Sequence, residues 1–190
     1  MRFVKNAVVV LISAAFGLTM LGGCAADGAA DDGVLAKFAL EDVDGRTSVN
    51  DLEAVGLEDR TGDYIASVRA DHVLIIDAET EEEGAIPLPE DEFYLSVAPY
   101  VTRTHPCGFH SLTTCVGELF NADFDVTVVD DTGAVLVDET VTSEDSGFFG
   151  LWLPAGVEGE ITVQHDGLSV TGPLSTHPDA KTCETDLQLT

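Results

Sequence analysis

The period of the hydrophobic positions changes twice along the chain. Behind Arg2 and Lys5, residues Ala7–Met20 form an uncharged, mostly apolar run that ends in Leu21-Gly22-Gly23-Cys24. A basic start, a short apolar run and small residues before a cut predict a secretory signal over residues 1–23. The run is shorter than the roughly 20 residues a spanning helix requires, so it is read as removed and not as a transmembrane anchor. Residues 24–33, rich in Ala, Gly and Asp, read as a flexible tether. The segment 34–92 then mixes periods. Ser48-Val-Asn-Asp-Leu52-Glu-Ala-Val55 predicts a helix capped by Ser48, with Leu52, Val55 and Leu57 facing inward. Residues 64–68 read as a helical or irregular piece, His72–Asp77 as a strand, and Ala85–Pro89 as an extended connector.

From Phe93 to the end, period two dominates. Strands are predicted over 93–98, 124–129, 134–137, 147–153, 160–164, 168–170 and 182–189, with turns at Asp130–Gly133 and His165–Gly167. Repeated short strands separated by turn residues predict a sandwich. The expected architecture is therefore a small α+β N-terminal region over 34–92, followed by an all-β, sandwich-like C-terminal domain over 93–190.

Charge narrows the partners. Eight basic residues against 35 acidic ones give a formal net charge of −27. Such a chain repels a phosphate backbone, so no nucleic acid partner is expected. It also repels anionic lipid. Leu21-Gly-Gly-Cys24 matches a bacterial lipobox, in which the cysteine is lipidated and becomes the first mature residue; acyl chains on Cys24 would then hold the protein at the outer face of the membrane. The acidic run at Glu79–Glu83 holds contiguous glutamates where a calcium loop spaces its ligands, and both it and Asp42–Gly45 read as solvated turns.

The chemistry concentrates in Thr104-His105-Pro106-Cys107-Gly108-Phe109-His110-Ser111-Leu112-Thr113-Thr114-Cys115, in a chain with only four cysteines and five histidines. A spacing of eight would separate the Cys107 and Cys115 Cα atoms by about 12 Å on a helix or roughly 26 Å on a strand. Cooperation between them requires the segment to double back, and Pro106 and Gly108 are the residues that turn a chain. With Cys24 acylated, Cys107, Cys115 and Cys183 remain, an odd number for an oxidising compartment. One reading pairs Cys107 with Cys115 and leaves Cys183 free. The other gathers all three on a soft metal: Cu(I), which tolerates low coordination, or Zn(II), which would take His110 or His105 as a fourth ligand. Phe109 and Leu112 are expected to shield such a site. His110 is read as a fourth ligand or as a hydrogen-bond partner of the loop, His105 as a capture site for incoming copper or a turn residue, and His72, His165 and His177 as solvated.

Pro99-Tyr100, His105-Pro-Cys107-Gly-Phe-His110-Ser-Leu-Thr-Thr-Cys115-Val-Gly-Glu-Leu119, Gly147-Phe-Phe-Gly-Leu-Trp-Leu-Pro154 and Asp179-Ala-Lys-Thr-Cys183-Glu-Thr-Asp-Leu-Gln-Leu189 together resemble the CueP family of periplasmic copper-binding proteins. The resemblance implies copper binding through Cys107, Cys115 and Cys183, a mixed helical N-terminal part and a β-rich C-terminal part. It also implies a role in copper resistance, with reduction of Cu(II) to Cu(I) or delivery of copper to an exported enzyme. The lipobox departs from a freely diffusing member and counts against delivery over a distance.

Three functional classes follow: a Cu(I)-sequestering or chaperone protein, a thiol redox protein acting as a cupric reductase, and an inert β-sandwich. The last leaves the cysteine trio without a purpose. A homodimer is compatible with all three. Hydrolytic and nucleotide chemistry has no motif to rest on, since the chain carries no HExxH, phosphate loop or Rossmann fingerprint.

Overall fold

The computed structural model describes residues 31–190; the predicted signal, Cys24 and most of the predicted tether lie outside the described residues. Residues 31–33, the end of that tether, open the first helix, α1 (Asp31–Lys37), which buries Val34 and Leu35. Helix α2 spans Gly45–Glu53. Its start lies upstream of the predicted one. The cap is Asp44, whose carboxylate accepts the Thr47 N–H at 3.1 Å, while Ser48 is buried on the inward face beside Val49 and Leu52.

Three strands complete this region: β1 (Tyr64–Val68), β2 (His72–Asp77) and β3 (Glu83–Pro87), antiparallel in the order β1-β2-β3. The helical or irregular reading of residues 64–68 is thus corrected to a strand. Its Ala66 and Val68 are fully buried, and its backbone is claimed by β2 on one side and by the loop at Ser111 on the other. The acidic run after Asp77 is the β2–β3 turn, where the Asp77 carboxylate accepts the Glu79 N–H at 2.8 Å.

The remaining strands are β4 (Glu92–Val97), β5 (Asp123–Asp130), β6 (Val135–Thr142), β7 (Phe149–Pro154), β8 (Glu158–His165), β9 (Leu168–Ser175) and β10 (Cys183–Glu184). They form a three-stranded sheet, β10-β4-β7, and a four-stranded sheet, β6-β5-β8-β9. The fold is β-rich, with three sheets and few helices. The last strand is shorter than predicted: after Glu184 the regular pairing gives way to an isolated Tyr100–Gln188 bridge and to backbone hydrogen bonds between Thr190 and Ser169 of β9.

Strand β4 organises the molecule because both of its faces are buried. Alternation sends Phe93, Leu95 and Val97 to one side, where with Phe149, Leu151 and Leu153 of β7 they meet Phe124, Val126, Val128, Ile161 and Val163 of the four-stranded sheet. Fully burying each such side chain contributes about 1.5–3 kcal/mol. The other face turns Tyr94 toward Trp152, Val49, Leu52, Val68 and Ile75 of the N-terminal core. Gly150 pairs with Ser96 on the neighbouring strand, and a Cβ there would collide with the Tyr94 ring and hydroxyl. Glycine is what lets that ring lie across the sheet.

Candidate metal centre

The stretch from Thr104 to Cys115 contains no regular strand or helix. Its shape comes from hydrogen bonds to two distant segments. On one side Val68 N–H donates to the His110 carbonyl at 2.8 Å, and Leu112 N–H donates to the Ala66 carbonyl at 2.9 Å. On the other, Thr182 N–H donates to the Gly108 carbonyl at 3.1 Å. The buried Thr182 hydroxyl accepts the His110 N–H at 3.1 Å and donates to the Val68 carbonyl at 2.8 Å. One hydroxyl thereby ties β1, the loop and the C-terminal segment together, and it sets Cys183 against the loop.

Cys107 and Cys183 are joined in a disulfide, with their Cα atoms 5.7 Å apart. Cys115 carries a free thiol, 3.8 Å from the Cys107 sulfur. The pairing of Cys107 with Cys115 is therefore not the one found. The loop does double back as its turn residues require, but the bonded partner comes from the far end of the chain. Cys115 Sγ accepts the Ser111 N–H at 3.4 Å, and the Cys115 carbonyl accepts from Arg60 at 3.1 Å.

His110 is fully buried against Phe148, at 4.6 Å between ring centroids. Its Nδ1 lies 3.8 Å from the Cys183 sulfur. Its Nε2 faces Glu53, 3.1 Å from one carboxylate oxygen and 3.2 Å from the other. Glu53, the last residue of α2, also accepts from the Tyr94 hydroxyl at 2.8 Å and the Ser96 hydroxyl at 3.3 Å. Burial works against charge on every member of this group. It is the largest single influence on Glu53, yet the His110 charge and the bonds from His110, Tyr94 and Ser96 together hold that carboxyl below its ordinary value. Burial likewise opposes the imidazolium, but the Glu53 charge and the neighbouring Cys115 sulfur raise His110 to about 9. Burial also pushes the Cys115 thiol up, and the His110 bond and charge outweigh it, so this thiol titrates below its usual range.

Two sets of donors have all their ligand atoms within 4.8 Å of one another: a half-buried set of His105, Cys107 and Cys115, and a deeper set of His110, Cys115 and Cys183. The three cysteines and His110 thus come together, and His105 joins from the solvent side. Phe109 and Leu112 do not shield the sulfurs. Phe109 is 51 % exposed and stacks under Arg69, and Leu112 is in the N-terminal core. The apolar wall of the sulfurs is Phe148 with Ala98. His72 pairs with Asp71, His165 with the Asp123 carbonyl, and His177 with Glu158.

Glu53, Thr182 and Phe148 are absent from the sequence-based site. Phe148 carried a signal, being in an aromatic strand prediction. Glu53 and Thr182 carried none, since a glutamate at a helix end and a threonine before a cysteine ordinarily face water.

Among the described residues no helix is long and apolar enough to cross a membrane. No curated protein matches the chain. The crystal structure of S.CueP is similar, with 36 % sequence identity, a TM-score of 0.76, and coverage of 84 % of this chain and 96 % of that one. The family described as periplasmic copper-binding protein CueP matches residues 47–188, most of the chain and every cysteine and histidine of the site, and the chain belongs to that family.

Proposed function

We propose that the reduced protein holds one Cu(I) through the thiolates of Cys107, Cys115 and Cys183, with His110 as a fourth donor, and thereby withdraws copper outside the cytoplasm. The observation that supports this most directly is the meeting of three sulfurs from distant sequence positions beside a buried imidazole. Thiolates are soft ligands and favour Cu(I) over hard cations; Zn(II), which accepts the same three sulfurs and one nitrogen, is the competing occupant. Binding releases thiol protons and therefore weakens as pH falls. The lipobox reading fits a protein kept at its membrane through lipid on Cys24, so that copper is sequestered locally or handed to an exported enzyme that comes to it.

Titration of the reduced protein with Cu(I) against a competing chelator tests this. One-to-one uptake is expected, and changing any one of the trio to serine should weaken it by about 100-fold or more, about 2.7 kcal/mol. Unchanged affinity in Cys107→Ser, Cys115→Ser and Cys183→Ser would overturn the assignment.

The Cys107–Cys183 disulfide supports a second reading, reduction of Cu(II) by the same thiols. Each of the two sulfurs gives up one electron, an S–S bond forms, two Cu(II) become two Cu(I), and the thiol protons pass to solvent. Counting thiols lost against Cu(I) formed distinguishes the readings: two thiols consumed for two Cu(I) formed supports reduction, and intact thiols support sequestration alone.

A further inference from the structure

The two donor sets are not alternatives of equal standing. Of the half-buried set of His105, Cys107 and Cys115, His105 lines a cleft of about 190 Å³, with Arg103, Thr104, Val116 and Glu118 also in its walls; the two cysteines are not in that wall. The deeper set reaches Cys183 and His110, which are essentially without solvent contact. Cys107 and Cys115 belong both to the outer set and to the proposed final site. Phe148, fully buried, contacts the rings of both histidines, at 6.2 Å from His105 and 4.6 Å from His110.

We propose that His105 is the capture ligand of a two-position copper path: Cu(I) is first held by His105, Cys107 and Cys115 at the cleft, then exchanges His105 for Cys183 and His110 while the two shared sulfurs keep hold. This rests on the three-thiolate reading above. Each step keeps the cation coordinated by soft donors, which is the low-barrier way to move an ion whose preferred coordination is two or three. The exchange makes and breaks only metal–ligand bonds, so no electron moves. The protein's strong negative charge brings cations to its surface without selecting among them, and the His105 nitrogen beside two sulfurs supplies the selection at the cleft. The path starts from the dithiol form, so the Cys107–Cys183 disulfide is first reduced by an external dithiol, which gives up two electrons and two protons and leaves as its own disulfide; Cys107 is then free as a ligand of both sites and Cys183 as a ligand of the final one.

A capture ligand affects rate and not equilibrium. It is absent from the final site, and uptake and release traverse the same path in opposite directions. The test is stopped-flow transfer of Cu(I) from a chromophoric chelator to the reduced protein, and back to excess chelator. His105→Ala should slow both directions by about tenfold or more while leaving affinity within about twofold. His105→Met, which restores a soft donor without an imidazole, should recover most of the rate; a merely structural role for His105 would not be rescued in this way. Wild-type rates in His105→Ala, equally slow transfer in both variants, or a large loss of affinity in His105→Ala would each overturn the path. If the wild-type protein itself takes up no Cu(I), the three-thiolate reading falls and the path falls with it. If it binds tightly while His105→Ala keeps the wild-type rate, only the path falls.

Discussion

Phe93 and Tyr94 are neighbours on one strand and lie in different worlds. Phe93 points into a core made wholly of apolar side chains, while Tyr94 donates a hydrogen bond to the buried carboxylate of Glu53. The apolar side needs only correct volume, and many sequences would supply it. The polar side works only as a connected set, because each buried charge is tolerable only while its partner is present. Both faces of β4 pack against apolar side chains, and the chemistry of His110 and Cys115 is built on one of them alone.

The most severe way to disturb this division is from the apolar face. Phe93→Ala should cost about 3–5 kcal/mol in chemical denaturation, the range for emptying a closely filled core of an aromatic ring. The molecules that remain folded should bind Cu(I) as the wild type does. A loss of copper affinity larger than the unfolded fraction accounts for would show that the two faces are not separable.

From the polar face the expected effect depends on pH. In the disulfide form His110 is held at about 9, above its ordinary 6.5, so the folded state keeps a proton that the unfolded chain releases. That contribution is fully present below pH 6.5 and is lost as pH rises through about 9. Glu53 has the opposite sense: its lowered value contributes stability above the ordinary carboxylate range that is lost as pH falls through the folded value. Between pH 6.5 and 9 the His110 contribution to the metal-free disulfide form falls as pH rises, while the lowered Cys115 thiol contributes in the opposite sense until the unfolded thiol ionises as well, so the slope of stability against pH is the difference of the two. Glu53→Gln removes the counter-charge that holds the His110 proton, and urea titrations at several pH values should show a smaller loss of stability with rising pH than in the wild type. An unaltered slope in that variant would detach His110 from Glu53.

Tyr94→Phe is gentler. It keeps the ring over Gly150 and removes one of the donors to a buried carboxylate, a bond of the kind worth about 1.5–3 kcal/mol. Its cost should be lower than that of Phe93→Ala, and it should raise the pH at which the carboxylate is neutralised. A cost as large as the core truncation would mean that the hydroxyl holds the apolar packing of this face in place as well as its charges.

The two faces also differ in how far they could be read beforehand. The β5–β6 hairpin was legible because alternation and the Asp130–Gly133 turn agree, and the Asp130 carboxylate accepts the Thr132 and Ala134 N–H groups as such a turn requires. The doubling of the Cys107–Cys115 loop was legible from its spacing and turn residues. That Cys107 bonds to Cys183 was not, because the pairing follows from Thr182 bridging Gly108, His110 and Val68, contacts between residues 72 to 114 apart in the chain. The burial of Glu53 was hidden for the same reason. Nothing beside it in sequence is its partner, since Tyr94, Ser96 and His110 all arrive through tertiary packing. Residues 64–68 were misread locally, as their strand character is fixed by the neighbours on both sides.

Phe109 gives the smallest effect and the sharpest contrast with its neighbour His110. Consecutive in sequence, they part at the surface: His110 turns inward to Glu53 and Cys183, and Phe109 turns outward, half-exposed, with the Arg69 guanidinium 4.3 Å from its ring centroid. If shielding of the copper site fell to Phe109, its removal would admit water and oxidant to the sulfurs. The geometry gives that task to Phe148, which shares a cluster with all three cysteines. Phe109→Ala should therefore cost no more than about 1 kcal/mol, the scale of an exposed cation–π contact. Cu(I) affinity and the rate of air oxidation of the thiols should both stay at wild-type values. Faster oxidation in Phe109→Ala would extend the functional surface outward to the Arg69–Phe109 stack, and the boundary between the inert and reactive parts of the loop would have to be redrawn there.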